Sequence, residues 1–270
     1  MDIPLITIPP LERRHTHTVI FLHDRGSNAW ALSEMLGDST DSSHLSLVKS
    51  FPSFRWVFPR ASLKQFASDV QVSRTQWFDI WNSEDYSDHE QHQAAGLCES
   101  VHRVRRVLRK EAELLGGQWD HIILAGLSQG AATALHTLIN LDIPLEEGAD
   151  PKRRRLGACL GFCCRMPFAN RTLQDTRACL NLDDVPKDDE VVRNTPILLQ
   201  HCSDDRQVSI DMGRMLRDLL QGFGAKVTWN EYANGGHGMV SPYGMDDAKS
   251  FLSKTMGISP LGSEIMQWKF

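Results

Sequence analysis

Three side-chain types that together make a hydroxyl nucleophilic follow one another along this chain: a serine at 128, two acids at 204 and 205, and a histidine at 237. Ser128 lies in Gly126-Leu127-Ser128-Gln129-Gly130, after the apolar run His121 to Ala125 and before the small residues Ala131 and Ala132. An apolar strand, a tight G-x-S-x-G turn and a small-residue helix form a nucleophile elbow. The serine must sit on a strained turn so that its hydroxyl projects while the chain reverses. Flanking glycines remove the side chains that would collide there. Taken alone, the motif could also be a glycine-rich turn with an idle serine.

A serine hydroxyl needs a base, and the base needs an orienting carboxylate. In elbow folds the order along the chain is serine, acid, histidine. Three histidines follow Ser128. His136 lies on the helix leaving the elbow, pointing away by about two turns. His201 lies within an apolar strand and precedes the acids. His237, in Asn234-Gly-Gly-His-Gly-Met239, occupies a glycine-rich loop after a strand and is the natural base. Asp204 and Asp205 both occupy the loop after the preceding strand, and position does not separate them. One would orient His237; the other would be solvated or cap the next helix.

The elements that must hold these groups follow from hydrophobic patterning. Apolar runs of strand length occur at 17–22, 54–58, 121–125, 156–163 and 196–201, and 226–231 alternates as a strand does. Helical patterns fill about 30–37, 97–115, 129–139, 208–222 and 242–256. Ser87-x-x-Glu90 is a candidate capping box for the second of these, and Gly116-Gly117 stops it. Its arginines at 103, 105, 106 and 109 read as a solvated face. His89 and His92 have helical metal-ligand spacing but no evident third ligand, so surface histidines are the expectation. Alternating strands and helices predict an α/β fold, a mainly parallel central sheet with helices on both faces. Ligands in such sheets bind beyond the carboxyl ends of the strands. The turn His23-Asp-Arg-Gly26 lies at such an end, so the backbone N–H of Arg25 or a neighbour would complete an oxyanion hole with that of Gln129. The aromatic segment Gln76-Trp-Phe-Asp-Ile-Trp81 ends an irregular stretch that could wall the site or merely pin a loop.

Composition narrows the function classes. A chain of 270 residues with 23% charged residues and a net charge of −5 has no basic excess for nucleic acid. No apolar run approaches the length of a membrane span. The acidic, proline-containing start lacks the pattern of a signal peptide, so a cytoplasmic protein is expected, without stable membrane insertion. Six irregularly spaced cysteines read as reduced thiols. A single domain over 1–270 is expected, with 1–14 and 257–270 as peripheral extensions. The polar stretch 142–155 and the acidic stretch 183–190 read as exposed excursions.

The chain resembles the acyl-protein thioesterase, lysophospholipase and small carboxylesterase family of α/β hydrolases. The matching pieces are Val19-Ile-Phe-Leu-His23 with Gly26, Phe58-Pro-Arg-Ala61, Trp77-Phe-Asp-Ile80, Gly126-Leu-Ser-Gln-Gly130, His201 through Val208, and Gly236-His237. They span nearly the whole chain in the family's order. The family's acid loop reads H-G-x-x-D-x-x-V, which selects Asp205, with Val208 in register. The resemblance implies an α/β-hydrolase fold with a minimal lid. It implies Ser128 as nucleophile, His237 as base, and the N–H groups of Arg25 and Gln129 as oxyanion hole. The substrate would be a carboxylic ester or thioester with an apolar acyl group, on a lipidated protein, a lipid or a metabolite, with no metal or cofactor. A lysophospholipase, a peptidase with the same triad, or a hydrolase-fold protein that binds without turnover are the alternatives. Trp77, Phe78, Met166 and Phe168 fall where the family shapes its acyl site. Three departures stand out. Asp24 replaces the glycine usual after His23, adding a carboxylate beside the hole that would disfavour anionic substrates. Cys202 replaces the glycine after His201, and Cys163-Cys-Arg-Met-Pro-Phe168 keeps only the proline of a Trp-Leu-Pro segment.

Overall fold

The computed structural model describes residues 3–262 apart from 67, 70 and 145–149. In chain order the elements are β1 (Leu5–Ile8), β2 (His17–Leu22), α1 (Ala29–Asp38), α2 (Leu47–Ser50), β3 (Phe54–Pro59), β4 (Leu63–Gln65), β5 (Ser73–Thr75) and α3 (His92–Leu114). The second half contains β6 (Ile122–Leu127), α4 (Gln129–Ile139), β7 (Ala158–Phe162), α5 (Leu173–Ala178), α6 (Glu190–Asn194), β8 (Pro196–Cys202), α7 (Ile210–Gly222), β9 (Lys226–Tyr232) and α8 (Tyr243–Met256).

Seven strands form one sheet in the order β1-β3-β2-β6-β7-β8-β9. All its neighbours pair in parallel except β1, which runs antiparallel to β3 at one edge. Residues 5–8, expected in a peripheral extension, are thus part of the central sheet. β4 and β5 form a separate hairpin.

The central strands are apolar throughout because both faces are covered. Alternation sorts their side chains. Ile20, Leu22, Ile122, Leu124, Cys159, Ile197 and Leu199 join one core with α3, α4, α6 and α7. Val19, Phe21, Ile123, Ala125, Leu160, Phe162 and Leu198 join a second core with α1, α2 and α8.

The chain turns outward in both directions from β2: β3 lies on one side and β6 on the other. This is a topological switch point, where the loops beyond the strand ends diverge and leave a crevice. The register pairs Leu22 with Gly126, so the turn after β2 and the elbow after β6 lie side by side. Helix α4 crosses these strand ends so closely that a Cβ on Gly130 would lie 2.3 Å from the Leu22 carbonyl oxygen, and one on Gly126 2.4 Å from Ala131 N. Both collisions are with backbone, which cannot rotate aside. Gly130→Ala should therefore cost about 3 kcal/mol of stability, at the upper end of overpacking effects. A urea unfolding curve with a lowered midpoint and unchanged slope would show it; an unshifted midpoint would contradict the close approach.

Several local expectations are replaced by longer-range contacts. Helix α3 starts at His92 behind Gln91, with no side-chain cap; Ser87 instead bonds Asp85, and Glu90 accepts from the Phe168 amide. His89 and His92 are exposed, as expected of surface histidines, and both stack on Trp81. Arg105 is buried rather than solvated, paired with Asp184 at 2.5 Å. The acidic stretch that supplies Asp184 also gives Asp188 to Arg154 at 2.6 Å, so it is tied to the body at both points. Of the excursion 142–155, residues 145–149 lie outside the described residues. The six cysteines form no disulfide.

Candidate active site

Ser128 follows β6 with φ +53° and ψ −117°. This combination, the mirror image of a type II turn's first central residue, suits glycine and strains other residues. Its amide donates to the Phe162 carbonyl at 2.8 Å, which fixes the strained turn against the end of β7. The next residue, Gln129, is the first of α4, and its backbone N–H has no carbonyl available within the helix.

The Gln129 side chain clamps the neighbouring loop. Its Oε1 accepts from the Trp77 amide at 2.8 Å and its Nε2 donates to the Phe78 carbonyl at 2.8 Å. Trp77 is buried, and its indole N–H donates to the His23 carbonyl at 2.7 Å. His23 is buried too. Its Nε2 accepts from the Ala61 amide, so Nδ1 carries the proton given to the Asp24 carbonyl at 2.7 Å. Burial holds the His23 imidazole below its ordinary pKa, consistent with this neutral tautomer. The Arg25 side chain donates through Nε to Gln76 at 3.0 Å. These bonds lock the turn carrying Arg25, the elbow and the aromatic segment into one unit.

His237 and Asp205 meet from two different loops. His237 Nδ1 lies 2.8 Å from Asp205 Oδ2, and the carboxylate side chain is fully buried. Asp205 Oδ1 accepts from the amides of Gln207 at 2.8 Å and Val208 at 3.0 Å. His201 adds a further contact, its Nε2 lying 3.2 Å from Asp205 Oδ2 and 2.9 Å from the Val208 carbonyl. Burial alone would raise the Asp205 pKa. The bonds from His201, His237 and the two amides outweigh it and hold the carboxyl well below the usual carboxylate range. Asp204 has a separate task. It accepts from the Gly236 amide at 2.8 Å and the Gly235 amide at 3.3 Å, tethering the loop that carries His237. Helix α7 is preceded by Ser209, so neither aspartate is its N-cap.

One cavity of about 310 Å³ is lined by Ser128, Gln129, His237, Arg25 and Phe78 together with other residues. The structure thus gathers there the serine, the histidine and both residues expected to supply oxyanion donors. Phe78 lines it, whereas Trp77, Met166 and Phe168 are buried core residues that do not. Asp24 does not line it either; four arginines do. The convergence of Arg25, Arg74, Arg165 and Arg206 on this cavity is announced by no local pattern. Cys163, Asp205 and His237 bring ligand atoms within 4.8 Å of one another. Burial pushes the Cys163 thiol up, and its Sγ donates to the Gly238 carbonyl at 3.3 Å, so it supports the His237 loop as a protonated thiol.

Known proteins match this chain over most of their length. A family model described as phospholipase/carboxylesterase matches residues 5–256. The chain is 25% identical to acyl-protein thioesterase 1 of Gibberella zeae, covering 92% of this chain and 94% of that one. It is 22% identical to acyl-protein thioesterase 1 of Yarrowia lipolytica, covering 93% and 95%. Its fold is similar to the crystal structure of Zea mays acyl-protein thioesterase 2, with a TM-score of 0.69 and 22% identity over 94% of this chain and 99% of that one.

Proposed function

The chain belongs to the phospholipase/carboxylesterase family of α/β hydrolases, and from that premise we propose that Ser128, His237 and Asp205 are its catalytic triad, acting on carboxylic esters and thioesters. The observation that carries this reading is the 2.8 Å Asp205–His237 hydrogen bond at the cavity that also holds the strained Ser128. With Nδ1 donating to Asp205, the His237 proton is fixed on that nitrogen and Nε2 is left free to accept.

In this mechanism Ser128 Oγ attacks the carbonyl carbon and its proton passes to His237 Nε2. Negative charge moves to the carbonyl oxygen, where the N–H groups of Arg25 and Gln129 stabilise it. The buried Asp205 carboxylate stabilises the imidazolium. Collapse of the tetrahedral intermediate expels the alkoxide or thiolate, which takes the proton from His237. Water, deprotonated by His237, then clears the acyl-enzyme by the same steps. Phe78, Ile80, Ala132 and Val208 offer an apolar wall for acyl methylenes; Trp77, Met166 and Phe168 act behind that wall by packing. The thioesterase names of the relatives make thioesters, including those of lipidated proteins, the first substrates to test. Among the described residues no helix is long and apolar enough to cross a membrane.

A fluorophosphonate probe tests the assignment. The folded protein should be labelled stoichiometrically, with the adduct on Ser128 in peptide mass spectra. Labelling elsewhere, or none, would remove Ser128 as the nucleophile.

A further inference from the structure

The cavity beside Ser128 is lined by four arginines, Arg25, Arg74, Arg165 and Arg206, and by no acidic residue. They arrive from the turn after β2, from β5, from the segment after β7 and from the loop after β8. Their concentration is unusual in a chain of net charge −5. Elsewhere several arginines pair with carboxylates, Arg154 with Asp142, Asp188 and Glu190, and Arg214 with Asp211 and Glu231, while the buried Arg177 donates to the Ile139 and Pro186 carbonyls. The four cavity arginines make no ion pair with a carboxylate among the described residues.

Neutral groups hold three of them, Arg25, Arg74 and Arg165. Arg25 donates to Gln76 and to the Ile80 carbonyl. The guanidinium groups of Arg25 and Arg74 both lie over the Phe66 ring, 4.5 and 5.5 Å from its centroid. Arg165 is the most informative. It is 8% exposed, donates to Gln93 Oε1 at 2.8 Å, and lies 3.9 Å from the centroid of the Tyr86 ring. Amides and aromatic faces orient a guanidinium without cancelling its charge. Glu90 acts favourably on the Arg165 charge and Asp79 on that of Arg25, but burial outweighs both, and a bound anion would offset the remaining penalty. Burial pulls the Arg165 guanidinium down to about 10, which leaves it charged at neutral pH.

Concave walls focus such a field, and the planar fork of arginine matches carboxylate and phosphate oxygens. The volume of about 310 Å³ lies near the small end of the roughly 300–1,000 Å³ typical of ligand sites. We propose that the cavity selects short esters or thioesters carrying a carboxylate or phosphate group, which the arginines bind while the reacting carbonyl lies at Ser128. The proposal rests on the hydrolase reading above and narrows its substrate class.

Two matched pairs test it on the full chain. The first is the pentanoyl and glutaryl thioesters of N-acetylcysteamine, which differ by a terminal carboxylate on the acyl chain. The second is a short-chain monoacylglycerol and the corresponding lysophosphatidate, which differ by a phosphate on the leaving group. At low salt the anionic member of at least one pair should have a kcat/KM higher by about tenfold or more. Added salt should shrink that ratio, and Arg206→Gln and Arg165→Gln should bring it toward one. The pair showing the preference identifies which side of the substrate carries the anion. Because Arg165 is buried, Arg206→Gln and Arg74→Gln, both at exposed residues, keep the test decisive if Arg165→Gln fails to fold.

Turnover of both neutral members at rates equal to or above their anionic twins would overturn the proposal and leave the hydrolase reading standing. Calorimetric titration of Ser128→Ala with glutarate and with glycerol 3-phosphate separates the two in the other direction. Binding that weakens on adding Arg206→Gln, with no ester turned over by the unsubstituted protein, would keep the anion site and remove the hydrolase reading. No binding of either anion and no turnover would overturn both.

Discussion

Ser128→Ala should lower kcat on short p-nitrophenyl esters by about six orders of magnitude, the scale on which removal of a triad serine acts, with no loss of fold. The loss is large because no neighbour can replace the hydroxyl. The oxyanion donors and His237 would remain, giving only the residual acceleration of an intact hole. The fold should survive because the bond that fixes Ser128 in place comes from its backbone amide, donating to Phe162. A companion variant makes the expectation sharper. At φ +53° and ψ −117° the serine occupies backbone space that glycine enters freely. Ser128→Gly should therefore be as inactive as the alanine variant yet more stable than the unsubstituted protein by about 1–2 kcal/mol, the strain held at such a residue. Paired esterase assays and urea unfolding curves check both halves. Retained esterase activity in either variant would point to another nucleophile. A glycine variant no more stable than the parent would mean that the elbow stores no strain.

The strand-turn-helix unit around Ser128 is visible in the sequence because each of its parts is local. An apolar run, two glycines and small helix residues within about fifteen positions allow few other structures. Strands β2, β6, β7 and β8 are visible for the same reason, since strands covered on both faces are apolar at every position. β1 is not, because Leu5–Ile8 alternates exposed and half-buried residues as an edge strand does. The burial of Arg105 is hidden as well. Its partner Asp184 is 79 positions away, and an arginine on an amphipathic helix reads as solvated without that partner. The division of labour between Asp204 and Asp205 is hidden from position alone, and it is the family resemblance that selects Asp205. Both are adjacent acids in one loop, and only the path of the returning 234–238 loop gives one the His237 imidazole and the other its backbone amides. The four cavity arginines are the extreme case, since they lie on four segments with no shared motif. Ser128 and His237, to which the proposed chemistry is assigned, are therefore readable from local strain and chain order. Those that shape what enters depend on tertiary convergence.

The two aspartates also carry the second large expectation. Asp205→Asn should lower kcat by about four orders of magnitude, the effect of forcing a triad histidine into the wrong tautomer, whereas Asp204→Asn should cost no more than about tenfold, since its loop can still be tethered. The reason lies in the bonds around Asp205. Its Oδ1 accepts from the Gln207 and Val208 amides, so an asparagine must keep its carbonyl oxygen there and turn its NH₂ group to the position of Oδ2. The NH₂ group would then donate to His237 Nδ1. That nitrogen must accept, the ring proton moves to Nε2, and Nε2 can no longer take the proton of Ser128. The same NH₂ group would face His201 Nε2, which donates to the Val208 carbonyl, and this opposition of donors should cost about 1–3 kcal/mol of stability. Acidification supplies the control. The Asp205 pKa is depressed in the folded protein, so its contribution to stability is complete above the ordinary aspartate value of about 3.9 and is lost as pH falls toward the folded value. The stability gap between the parent and Asp205→Asn should therefore be constant near neutral pH and narrow below about pH 4. A gap that widens on acidification would contradict the depressed carboxyl. An Asp204→Asn variant as inactive as Asp205→Asn would contradict the assignment of the orienting acid, because Asp204 reaches only the backbone of the loop and Asp205 alone meets the imidazole.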